Sequence, residues 1–127
     1  MDESVRHALS KSGIVDITTT GRHSGEARRI EIAYHVIDGR IYISGMPRAD
    51  RQRAWLLNLE AQPRFTFHVK VGASADLPAT ARIITDEAER RSVLEHVARN
   101  WKRNDLETMV AYSPLIEVAI DGLADTN

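Results

Sequence analysis

The chain of 127 residues contains no cysteine, which excludes disulfide stapling, thiolate-bound zinc, iron–sulfur clusters and thiol catalysis together. Redox chemistry would therefore need a borrowed organic cofactor. Neither sign of charge dominates: seventeen Lys and Arg oppose eighteen Asp and Glu, for a formal net charge of -1. A surface built wholly to attract nucleic acid or an anionic bilayer is excluded, so any anion site must be local. Aromatic residues make up only 6% of the chain, too few for a stacking platform that tracks single-stranded RNA. No apolar run approaches the roughly 18 residues of a spanning helix. The N-terminal stretch MDESVRHALSKSG places acids early and has no apolar h-region, so an unexported, cytoplasmic protein without a transmembrane segment is expected. Seven glycines and four prolines are too few for disorder or a fibrous repeat.

What is present is a 43% hydrophobic share in a length that favours one domain over residues 1–127. Short segments alternate apolar and polar residues with the period of a half-buried strand. They predict strands at Ile14–Thr19, Arg29–Ile37, Ile41–Gly45, Phe65–Val71, Ala79–Ile84 and Leu115–Ile120. Asp38-Gly39 between the second and third is a type I′ hairpin signal, since both turn positions need positive φ. Helices are predicted at Asp50–Ala61, closed by Pro63, and at Asp86–Lys102, opened by Asp86 and Glu89 in capping-box spacing. A weaker one spans Glu3–Ser10, with Val5, Ala8 and Leu9 as its apolar side. Short antiparallel strands with inserted helices give an α+β domain whose sheet curls toward a small barrel. No G-x-G-x-x-G follows a strand, so a dinucleotide fold of the βαβ type is not expected.

The stretch that carries chemistry is Thr18-Thr19-Thr20-Gly21-Arg22-His23-Ser24-Gly25-Glu26-Ala27-Arg28-Arg29. Its glycines let the loop bend tightly, and its three guanidiniums, one imidazole and hydroxyl groups surround them; guanidinium forks match phosphate oxygens. The competing reading is a solvated hairpin loop. A second basic cluster, Met46-Pro47-Arg48-Ala49-Asp50-Arg51-Gln52-Arg53, precedes the helix bearing Trp55 and Asn58, whose N-terminus adds partial positive charge. Two separated arginine loops suit one elongated anion, although Arg51 and Arg53 also read as the wet face of a helix. The halves of the chain differ in charge. Residues 1–70 hold eleven basic and eight acidic side chains, residues 71–127 six and ten.

On these residues the sequence resembles the deazaflavin-dependent nitroreductase and quinone reductase family, whose members are split β-barrels. Thr18 to Gly25 with Arg28 is similar to that family's T-T-x-G-R-x-S/T-G loop. Trp55, Asn58, Leu59 and Pro63 match its W-x-x-N-L-x-x-x-P signature, and the resemblance runs from Ile14 to Ile120. It implies a split barrel of about six mainly antiparallel strands with inserted helices. It also implies an enzyme that takes a hydride from reduced coenzyme F420 and gives it to a quinone, nitroaromatic or similar small-molecule acceptor. FMN or FAD on the same fold, and a non-catalytic cofactor or hydrophobic-ligand carrier, are the alternatives. By position, Arg22, His23, Ser24, Arg28 and Arg29 would hold the anionic tail. Ser44, Gly45 and Met46 would lie at the strand end beneath the ring, Ala54, Trp55 and Asn58 along the ring or ribityl chain, and Arg48 is a further cofactor-binding candidate. Tyr112 is the candidate for acceptor contact or proton donation, against a core reading from the residues alone. A homodimer is implied.

The sequence departs from the family pattern at His23, where a lysine or arginine is common, at Glu31-Ile32 and at Met46-Pro47-Arg48. A carboxylate at Glu31 would oppose an anionic cofactor unless Arg29 or Arg64 pairs with it. His35 and His68 both fall on predicted polar strand faces, where they would meet across a sheet. Metal is not expected, because no third ligand stands at suitable spacing.

Overall fold

The computed structural model describes residues 1–123. In chain order the elements are α1 (Glu3–Ala8), β1 (Gly13–Thr20), β2 (Ala27–Ile37), β3 (Arg40–Ser44), α2 (Ala54–Ala61), β4 (Arg64–Val69), β5 (Ala75–Ile83), α3 (Glu87–Trp101), α4 (Leu106–Tyr112) and β6 (Leu115–Ile120). The strands close into an antiparallel barrel in the order β1-β2-β3-β6-β5-β4. Closure leaves no unpaired sheet edge, and the period-2 alternation then sends every second side chain inward. Val15, Ile17, Tyr34, Ile43, Phe67, Ala79, Ile116 and Val118 fill the interior. Tyr34 and Phe67 meet edge to face there at 5.5 Å.

Helices close the two open places of this cylinder. Asp2 caps α1 by accepting from Ser4 N–H at 2.7 Å, and Val5 and Leu9 pack into the barrel cluster. The Tyr34 hydroxyl donates to the Ala8 carbonyl at 2.9 Å, fixing that end. From the opposite flank, α2 inserts Trp55, Leu56 and Leu59 into the same cluster; each such burial contributes roughly 1.5–3 kcal/mol. Outside the barrel, α3 and α4 cover β3 through a second cluster of Tyr42, Ile84, Leu94, Val97, Met109 and Leu115.

The six strands and the hairpin at Asp38-Gly39, with φ of 52° and 78°, match the sequence reading. Several boundaries do not. The helix expected from Asp50 starts at Ala54, because the Asp50 carboxylate is held by Arg48 at 3.1 and 2.7 Å instead of capping a first turn. At α3, Asp86 accepts from Glu89 N–H at 2.9 Å, but Glu89 turns away to Arg82, so only half of the capping box forms. The fourth strand stops at Val69, leaving Val71 exposed. Strand β5 begins four residues before the expected Ala79 despite Pro78. Pro78 pairs with Thr66 of β4, while β6 reaches only as far as Ala79, so the missing N–H falls where β6 has ended. The short helix α4 is absent from the sequence reading.

Candidate functional site

The connection from β1 to β2 closes on itself at its base. Gly21 N–H donates to the Glu26 carbonyl at 2.8 Å, and Gly25 N–H to the Gly21 carbonyl at 2.8 Å. A Cβ at Gly21 would stand 2.8 Å from Ser24 Oγ and 3.2 Å from the Glu26 carbonyl, so this closure requires glycine. Gly25 sits at φ 75°, the left-handed region that glycine enters freely. Ser24 Oγ accepts from Glu26 N–H at 3.1 Å, and Arg28 Nη1 donates to Glu26 Oε1 at 3.1 Å.

One side chain of α2 ties this loop to the body of the protein. Asn58 Oδ1 accepts from Arg22 N–H at 3.1 Å and from Arg22 Nη1 at 3.0 Å, while its Nδ2 donates to Thr19 Oγ1 at 3.1 Å. Asn58 and Thr19 are both buried.

Between loop and helix opens a cavity of about 340 Å³. Arg22, His23, Ser24 and Arg28 line it from the loop, Arg53, Ala54, Trp55 and Asn58 from the helix side, and Thr19 and Ile30 from the barrel. No carboxylate lines it. The first turn of α2 holds no acidic residue, and Arg53 at its N-cap makes no capping hydrogen bond, so the first amides stay free and the helix dipole adds to the positive field. The arrangement suits a ligand with an anionic end and an apolar, planar end.

The structure brings Arg22, His23, Ser24, Arg28, Ala54, Trp55 and Asn58 together here and leaves the other expected residues outside. Arg29 follows Arg28 on β2 and therefore points to the opposite face, where it donates to Asp16 at 3.0 Å. Ser44 is buried and donates to the Pro114 carbonyl at 2.7 Å. Gly45 and Met46 lie at the end of β3 behind the Arg53 guanidinium, which donates to the Met46 carbonyl at 2.6 Å. Arg48 is paired with Asp50 on an exposed loop. Glu31 is neutralised by Lys70, not by Arg29 or Arg64, and Arg64 pairs with Asp121 at 3.0 Å. Trp55 answers both of its readings, since it belongs to the barrel core and lines the cavity.

Tyr112 is not a core residue. It ends α4 half exposed and lines a second cavity of about 260 Å³ with Arg51, Arg53, Leu56, Ile84 and Ser113, among others. Arg53 belongs to both cavities. The floor is set by Arg90, which donates to the carbonyls of Ile84 at 3.0 Å, Val110 at 2.9 Å and Ser113 at 2.6 Å. Burial alone pushes its guanidinium pKa down. Sequence reasoning placed Arg53 in the second basic cluster, where it also read as the wet face of a helix, and did not single it out as a site residue; the structure puts it half-buried at both cavities.

The two strand histidines do not meet. His68 Nε2 shares a hydrogen bond with Thr18 Oγ1 at 2.7 Å and its Nδ1 another with Asp76 at 2.7 Å. His35 lies opposite Tyr42 and against Trp101, at 5.0 Å and 67°, because α3 covers a strand face that reads as polar. Neither His35 nitrogen has a partner among the described residues, and burial lowers its pKa to about 4. Among the described residues no cluster of three His, Asp or Glu side chains is placed to hold a metal, and no helix is long and apolar enough to cross a membrane.

Residues 2–119 match the F420H(2)-dependent quinone reductase family. The chain belongs to that family. This F420H2-dependent quinone reductase family member is accordingly an oxidoreductase. No curated protein matches its sequence. Among solved structures it is similar to one described as a domain-swapped dimer, with a TM-score of 0.63 and 20% identity over 84% of this chain and 79% of that one. A reductase described as F420-H2 dependent gives a TM-score of 0.61 and 20% identity, covering 84% and 93% of the two chains. A FAD-binding protein from Mesorhizobium loti gives 0.56 and 15%, covering 91% and 86%. At these identities the likenesses establish the fold, a split β-barrel.

Proposed function

We propose that this protein is an F420H2-dependent reductase that holds the cofactor's phosphate-bearing tail at the β1–β2 loop and passes a hydride to a quinone, nitroaromatic or similar small acceptor. The observation that carries this reading is the carboxylate-free cavity in which Arg22, His23, Ser24 and Arg28 face Trp55 and Ala54. The donor set fits the group: guanidinium and hydroxyl donors suit phosphate oxygens, and the indole and Ile30 suit a ring. Family membership supports it. When bound, the reduced deazaflavin supplies the hydride. The protein's residues bind, orient and exclude water. Asn58 fixes Arg22, Trp55 walls the ring end, and the Tyr112 hydroxyl in the adjoining cavity offers a proton to the reduced acceptor. A single-domain, cytoplasmic homodimer completes the proposal, the dimer supported by the likeness to a domain-swapped one.

Fluorescence titration with F420, followed by oxidation of F420H2 in the presence of menadione or a nitroaromatic, tests this. Saturable binding with acceptor-dependent oxidation is expected. Flavin absorbance in the purified protein without F420 binding would replace the reading with an FMN or FAD enzyme. Binding without turnover across a broad acceptor panel would make the protein a carrier.

A further inference from the structure

Arg53 stands between the two cavities and belongs to the wall of each. It is half-buried, yet among the described residues no carboxylate pairs with it; Arg48 beside it takes Asp50. Its Nη2 donates to a neutral group, the Met46 carbonyl, at 2.6 Å. A Cβ on Gly45 would stand 3.1 Å from Pro114 Cγ and 3.6 Å from Arg53 Nη2, so the guanidinium lies against that glycine where the end of β3 approaches the turn into β6. Desolvation first, then Arg48 and Arg51, disfavour its charge, and Asp50 offsets them in part. A half-buried cation held by one neutral carbonyl is more stable once an anion reaches it, because an opposite charge adds a Coulomb attraction that a carbonyl dipole does not match.

We propose that Arg53 is a displaceable plug between the two cavities, and that their joining is conditional on an anionic ligand. An anion seated among Arg22, Ser24 and Arg28 draws the guanidinium off the Met46 carbonyl. The end of β3 is then uncovered, and the two cavities become one elongated cleft. A neutral ring molecule offers Arg53 at most another carbonyl in exchange, with no net gain, and is disfavoured. Arg53 is thus a specificity-determining residue, selecting ring ligands that carry phosphate or carboxylate over the bare ring. The assignment of the ligand as F420 rests on the proposed function; the plug itself rests on the geometry.

Two measurements separate these. In the first, inorganic pyrophosphate is titrated into the isotope-labelled protein while the arginine Nε–H and backbone amide NMR signals are followed, the Arg53 signal being identified by its loss in Arg53→Gln. Saturable shifts of Arg53 together with the Gly45 amide are expected; movement of Arg22 and Arg28 alone overturns the plug. In the second, the affinities for F420 and for its phosphate-free ring and ribityl portion are compared in wild type and Arg53→Gln. The variant is expected to narrow the preference for F420 by about tenfold, the scale of one charge-assisted contact. An unchanged preference, with both probes binding, overturns the plug and leaves the F420 reading standing. Shifts of Arg53 and Gly45 with pyrophosphate, while neither deazaflavin binds wild type, uphold the plug and overturn the F420 reading.

Discussion

Asn58 holds Arg22 twice, accepting from its backbone N–H at 3.1 Å and from its guanidinium at 3.0 Å through one amide oxygen. With Nδ2 on Thr19 Oγ1, the amide has its polar atoms engaged inside the protein. In the proposed site it therefore sets the loop on the helix, and one Nδ2 hydrogen remains for a ligand in the cavity that it lines.

Replacing Asn58 by Ala is expected to cost about 1–3 kcal/mol of stability, because buried donors lose their partner. Affinity for F420 should fall about tenfold as Arg22 loses its fixed position, a loss of the size expected for one charge-assisted contact. Urea unfolding and fluorescence titration of the same preparation read the two effects. A variant with lowered stability and unchanged affinity would show that the loop needs no latch.

Glu26 competes for the loop's own cation. Its carboxylate takes Arg28 Nη1 at 3.1 Å, with both side chains largely exposed, so the pair contributes little to stability. Glu26→Gln should release Arg28 and tighten binding of an anionic cofactor severalfold, whereas Arg28→Ala should weaken it more than Arg99→Ala does. Because the interaction is electrostatic, the differences should shrink at high salt. Equal affinities for the Arg28 and Arg99 variants would remove the loop from the phosphate site.

His35 makes the fold sensitive to acid. Its native pKa is lowered to about 4 by burial, while in the unfolded chain it takes a proton below about 6.5. Between these values only the unfolded state is protonated. Stability is therefore full above about pH 6.5 and is lost as pH falls toward 4. At pH 5 the loss from this residue is about 2 kcal/mol. His35→Phe should recover that amount relative to wild type at pH 5 and show no such gain at pH 7.5, measured by urea midpoints. The same stability difference at both pH values would place the acid sensitivity elsewhere.

Much of the barrel is legible in the chain because its signals are local. Alternation at Ile30, Ile32 and Tyr34, or at Phe65, Phe67 and Val69, selects the inward face whatever the partner strand is. Asp38-Gly39 supplies its own positive φ. Helix starts are less legible, since the same carboxylate can cap or pair: Asp50 goes to Arg48, Glu89 to Arg82. His35 misleads for a further reason. A strand's outward face reads as polar from sequence, and nothing in the strand announces that α3 will lay Trp101 across it.

By itself the sequence determined the short antiparallel strands, the absence of any cysteine chemistry, and the arginine loop with its two glycines, all set by residue chemistry and short-range spacing. Tertiary structure decided which of the basic side chains face one another. Arg28 and Arg29 are adjacent in the chain, yet the strand's pleat sends one to the cavity and the other to Asp16. Ser44 became a tie to Pro114, and Arg53, one of several arginines in a basic cluster, became the wall between two cavities. Direction and pairing are properties of closure, because only when β3, α2 and the turn into β6 are brought together does a side chain acquire a neighbour to hold or a space to guard.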